Sequence, residues 1–138
     1  MSNPKKQDRY NKLFMELVLE AARLGVSVEG CSTEDMLELL TLGDFDATKL
    51  KIRLYFDEGE RRVVSPRLIF TLAHELQHVR QFLAGRTAEY WLHCIGCGPR
   101  ITEEVNNAIE KEADDVALQF CKSHKIPLPE ICTRGMAT

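Results

Sequence analysis

The run His74-Glu75-Leu76-Gln77-His78 constrains this chain more than any other stretch. Around it, Leu68, Ile69, Leu72, Ala73, Leu76, Val79 and Leu83 recur at helical spacing and form one broad apolar face. Thr71, His74, His78 and Gln81 lie along another stripe. On a helix, positions i and i+4 sit one above the other. His74 and His78 therefore aim two imidazoles at one point, as a Zn²⁺ ligand pair must. Glu75 stands beside that point, where a carboxylate can take a proton from a water polarised by the metal. H-E-x-x-H has only three fixed positions. Without a third ligand elsewhere, the pair reads as two solvent-facing helix histidines.

The helix beneath the motif has clear ends. Ser65 is placed to cap it, with Pro66 at the first helical position. It is expected to run to about Ala84, and Gly85 stops it. Before it, residues 1–7 read as a disordered lead-in. A first helix follows from Asp8 to Leu24, ended by Gly25. Val26 to Gly30 is a short apolar, extended connection. Ser32 or Thr33 caps a short helix through Leu42, ended by Gly43, and Asp44 to Thr48 reads as loop. Leu50, Ile52, Leu54 and Phe56 alternate with Lys51, Arg53 and Tyr55, the period-two pattern of a half-buried strand. A turn at Asp57–Glu60 and a return strand at Arg61–Val64 complete an expected hairpin.

Composition narrows the function classes. At 138 residues the chain is expected to form one domain, residues 1–138. Its net charge of −3 gives no basic footprint for nucleic acid. No apolar run approaches the ~20 residues of a membrane span. The polar stretch Met1–Arg9 is not followed by the apolar core of a secretory signal. The cysteines number five, an odd count that favours reduced thiols and a cytoplasmic setting.

A third metal ligand is sought downstream. Thr102 can cap a last helix, with Val105, Ile109, Ala113, Val116, Ala117 and Phe120 as its apolar stripe. That helix carries Glu110-Lys111-Glu112-Ala113-Asp114-Asp115. Glu110 and Asp114 share a face, so Glu110 can bind metal while Asp114 accepts a hydrogen bond from a ligand imidazole and fixes its tautomer. Glu112 and Asp115 form a competing pair. At roughly 100° per residue, Glu110 and Glu112 flank the apolar stripe about equally, and periodicity does not choose between them.

From about Ser65 to Phe120 the chain resembles the gluzincin metallopeptidases, on His74-Glu75-x-x-His78 and Glu110-x-x-x-Asp114. The E-x-E-A-D form looks most like the compact members, the minigluzincins and the regulator-cleaving peptidases of phages and mobile elements. The resemblance favours Glu110 as the third ligand. It implies a small zincin-like α+β domain, mainly helical, with a short β-hairpin or edge strand next to the active-site helix. It also implies one Zn²⁺ per chain on His74, His78 and Glu110, with Glu75 as general base and Asp114 behind a ligand. The partner it implies is a peptide or protein substrate, without nucleic acid or membrane. The alternative from another class is a catalytically silent metal-binding pseudo-peptidase that docks a protein partner.

Two features stand outside the family pattern. No motif singles out an oxyanion-stabilising group among Tyr55, Tyr90, His93 and Arg100. His93-Cys94-Ile95-Gly96-Cys97 contains a C-x-x-C, which needs two further ligands to hold structural zinc; Cys121 and His124 are the candidates. A reversible disulfide, a cysteine that caps the catalytic metal, or simply buried thiols are the other readings of this loop. Residues 125–138 are expected to be an irregular tail.

Overall fold

A computed structural model describes residues 4–32, 43–56, 64–85 and 103–127. Helix α1 (Pro4–Arg23) buries Tyr10, Leu13, Leu17 and Ala21 at helical spacing. It starts four residues earlier than the expected Asp8, within the stretch assigned to a disordered lead-in. A side chain ties down the added turn: Gln7 Nε2 donates to the Val64 carbonyl at 3.1 Å and to Asn11 at 2.9 Å. The helix ends as its glycine demands. Gly25 has φ +81°, and Val26 N–H donates back to the Ala21 carbonyl at 2.9 Å. Val26 and Ala21 are both buried, the apolar contact that accompanies such a cap.

Among the described residues three strands follow: β1 (Ser27–Ser32), β2 (Gly43–Asp46) and β3 (Lys51–Phe56). The order is β1-β3-β2, with β1 parallel and β2 antiparallel to the central β3. This corrects the loop expected over Asp44–Thr48, of which Asp44–Asp46 is strand. The partner of β3 is the preceding strand β2, in a stretch assigned to loop. Of Arg61–Val64 only Val64 is described, and it lies outside any strand. Gly43 opens β2; the helix expected over 33–42 lies outside the described residues. Two forces make β2 a strand despite two aspartates, residues that disfavour strands. Phe45 is buried against Phe82, ring centroids 5.8 Å apart. On the other face Asp44 receives Arg53 Nε and Nη2 in a two-pronged ion pair, both at 2.8 Å. Asp46 then shapes the β2–β3 turn by accepting from Thr48 N–H and Lys49 N–H at 3.0 and 3.2 Å.

Helix α2 (Pro66–Leu83) has the predicted start: Ser65 Oγ accepts from Leu68 N–H at 3.2 Å, and Pro66 opens the helix. Its face of Leu68, Ile69, Leu72, Ala73, Leu76 and Val79 is buried, whereas Leu83, on the final turn, is exposed. It packs on β2 and β3 on one flank and on helix α3 (Glu103–Ser123) on the other. Ala113, Ala117 and Cys121 of α3 are fully buried, and these small residues let the two helices approach. The end of α3 is ordered past Ser123. Lys125 takes φ 56°, Ile126 N–H returns to the Cys121 carbonyl at 2.8 Å, and Arg9 of α1 donates to the carbonyls of His124 and Lys125. The tail expected from residue 125 thus begins as a helix cap. The molecule is a small α+β domain with the short hairpin beside α2. Among the described residues no helix is long and apolar enough to cross a membrane.

Candidate metal centre

The α2–α3 seam holds the motif residues. His74 and His78 sit one turn apart on α2, their rings edge-to-face at 81°, and their Nε2 atoms lie 3.1 Å from one another. Each Nε2 is 3.2 Å from an oxygen of Glu110 on α3. Ligand atoms of His74, His78 and Glu110 all fall within 4.8 Å of one another, a group that can hold a metal ion. A tetrahedral ion with bonds of about 2.0 Å has edges of about 3.3 Å, close to the separations found.

The far side of each ring explains why these atoms converge. His74 Nδ1 lies 2.8 Å from Asp114 Oδ1. The contact is one of proximity and charge, its angle short of a directed hydrogen bond. Phe70 stacks against the His74 ring with 29° between planes. His78 Nδ1 lies 2.8 Å from Gln81 Oε1. With a hydrogen on each Nδ1, both neutral imidazoles turn a lone pair toward Glu110 and toward each other. Three acceptors then converge with no hydrogen between them, an arrangement that calls for protons or a cation. The donor set, two imidazoles and a carboxylate, fits zinc.

Charge follows the same logic. Burial pulls the His74 pKa down, but the Asp114 and Glu110 carboxylates outweigh it and push it up to about 10. Burial likewise opposes the charge on His78, and Glu110 beside it leaves its pKa raised. Burial raises Glu110, yet its contacts with His74 and His78 prevail and hold it well below the usual carboxylate range. Glu75 is 5% exposed. Burial raises its pKa, against the lowering pull of His78 and His74. The Glu110 side chain is 48% exposed, so the cluster opens to solvent on the α3 side.

Glu112 lies apart from the histidine pair. Its Oε1 accepts from Gln77 Nε2 at 2.9 Å and from Gln81 Nε2 at 3.2 Å, and Asp115 pairs with Lys111 at 2.9 Å. The structure thus brings His74, His78, Glu110 and Asp114 together. The stripe expected to be polar is in part buried: Thr71 donates to the Arg67 carbonyl, and Gln81 is 1% exposed. The sequence assigns Gln81 no role beyond its place on the stripe with His74 and His78. Tyr55 is buried in β3, and its carbonyl accepts from Arg67. Cys121 sits inside the core while His124 is exposed against Phe120. Tyr90, His93, Cys94, Cys97 and Arg100 lie outside the described residues. Comparison with protein-family models, curated proteins and solved structures finds no match to this chain.

Proposed function

We propose that this protein is a zinc-dependent endopeptidase of the compact gluzincin kind, with His74, His78 and Glu110 as the ligands of one Zn²⁺ per chain. The observation that carries the reading is the convergence of three acceptor atoms whose imidazoles are braced from behind, next to a buried carboxylate. Zinc held there supplies Lewis acidity, polarising a carbonyl and making a water easier to deprotonate. Glu75 takes the proton of the attacking water. Its raised pKa suits it to keep that proton and then pass it to the departing amine nitrogen. The substrate class is an extended peptide. The resemblance of His74-Glu75-x-x-His78 and Glu110-x-x-x-Asp114 to the gluzincins supports that class.

The test is a mixed peptide pool followed by mass spectrometry with zinc-loaded, chelator-stripped and zinc-restored protein. Cleavage should appear with zinc, vanish on chelation and return with the metal. Stoichiometric zinc without any cleavage would leave the silent metal-binding module, and no stoichiometric zinc would overturn the metal reading altogether.

A further inference from the structure

We infer that Gln81 is the residue that positions His78 for its metal, and that Glu112 holds Gln81 in the required orientation; the inference rests on the zinc reading above. A primary amide has one accepting end and one donating end, and its environment decides which faces where. At Gln81 the environment is unambiguous. One end of the amide meets the Ile109 backbone carbonyl at 3.0 Å and the Glu112 carboxylate at 3.2 Å. A backbone carbonyl and an ionised carboxylate only accept, so this end is Nε2–H₂ and both its hydrogens are used. Turning the amide over would set its oxygen against two oxygens in a residue that is 1% exposed. The other end is therefore Oε1, an acceptor, and it faces His78 Nδ1 at 2.8 Å. His78 must donate from Nδ1. In the neutral ring the lone pair then falls on Nε2, the atom 3.1 Å from His74 Nε2 and 3.2 Å from Glu110.

Glu110 and Glu112 of α3 thus divide the work. Glu110 meets the histidines directly, while Glu112 acts at two removes, through Gln81. Gln77 donates to the same Glu112 oxygen at 2.9 Å and steadies it. This arm is neutral where it touches the ring, in contrast to the Asp114 carboxylate behind His74.

Two readouts test the inference, neither of them turnover. In the zinc-loaded wild-type protein, long-range ¹H–¹⁵N NMR of the imidazoles should show His78 with hydrogen on Nδ1 and metal on Nε2. Metal on Nδ1, or an unprotonated Nδ1, overturns the inference without any variant. Zinc affinity by chelator competition gives the second readout. Gln81→Leu should weaken zinc about 10–100-fold, the usual cost of removing a group that orients a ligand. Glu112→Leu should weaken it in the same direction, and Glu112→Gln, which can still present an oxygen, should stay close to wild type. If Gln81→Leu does not fold, the half-buried Glu112 pair carries the comparison. Wild-type affinity in both leucine variants overturns this inference alone. A wild-type protein that takes up no zinc overturns both it and the reading beneath.

Discussion

The two flanks of α2 are held by opposite means. Toward α3 the helix presents His74, Gln77, His78 and Gln81, and each meets a particular polar partner: Asp114 and Glu110, Glu112, Glu110, then Ile109 and Glu112. Toward the sheet it presents mainly shape, beside the bond from Arg67 to the Tyr55 carbonyl. Phe82 packs edge-on against Phe45, and Thr71 comes so close to β2 that a Cβ on Gly43 would lie 2.7 Å from its methyl. A directed contact fails when one atom is removed, whereas a packed surface fails when volume is added or taken away. Substitutions on the α3 flank should therefore act on metal binding, and those on the sheet flank on stability.

The largest expected effect is on the α3 flank. His74→Ala removes a ligand and should abolish stoichiometric zinc by elemental analysis; full zinc in this variant would contradict the ligand assignment. Asp114→Ala leaves all three ligands but unbraces His74, and zinc affinity by chelator competition should drop about 10–100-fold.

Next comes pH. The His74 pKa in the metal-free protein is about 10, and zinc needs the ring neutral, so binding displaces a proton. Affinity should climb with pH, by about tenfold per unit between 7 and 9, in a chelator-buffered titration. Stability of the metal-free protein runs the other way. The folded His74 pKa lies above the ordinary value of 6.5, so its contribution is fully present below 6.5 and is lost as pH rises through about 10. Thermal melts of metal-free protein should fall between pH 7 and 10.5, and melts of the zinc-loaded form should fall less.

The smallest effect on metal is expected from the sheet flank. An alanine at position 43 would press on Thr71 and would lie 3.0 Å from the Arg53 carbonyl. Gly43→Ala should cost about 1–3 kcal/mol of stability in denaturant melts. Its zinc content should be unchanged. Zinc loss without a change in stability would break the division between the flanks.

The same division governs what was legible in the sequence. His74, His78, Glu110 and Asp114 stand out because ligand chemistry demands residue types at helical spacing, and spacing is local. Ser65-Pro66 and Gly25 were legible for the same reason, since caps are set by neighbours in the chain. β2 was not, because its strand character comes from Phe82 and Arg53, one on another element and the other across the turn. Nor was the parallel pairing of β1 with β3, which joins Val28 to Ile52 across the intervening chain. The choice between Glu110 and Glu112 was undecidable from periodicity for a physical reason. Both flank the inward stripe of Ile109, Ala113 and Ala117, and both touch α2, one at the histidines and the other at the glutamines. Gln81 was legible only as a member of the polar stripe, because the partners that orient its amide lie 28 and 31 residues away.

The central claim is that Glu75 moves a proton beside a metal held by His74, His78 and Glu110. Its most direct test sets wild-type protein beside Glu75→Gln, with zinc content and peptide hydrolysis measured on the same samples. Glutamine keeps the shape of the side chain but cannot take the proton. The expected result is one zinc per chain in both proteins, with hydrolysis in the wild type and a loss of at least about 100-fold in the variant. Equal hydrolysis by the two proteins would contradict the account.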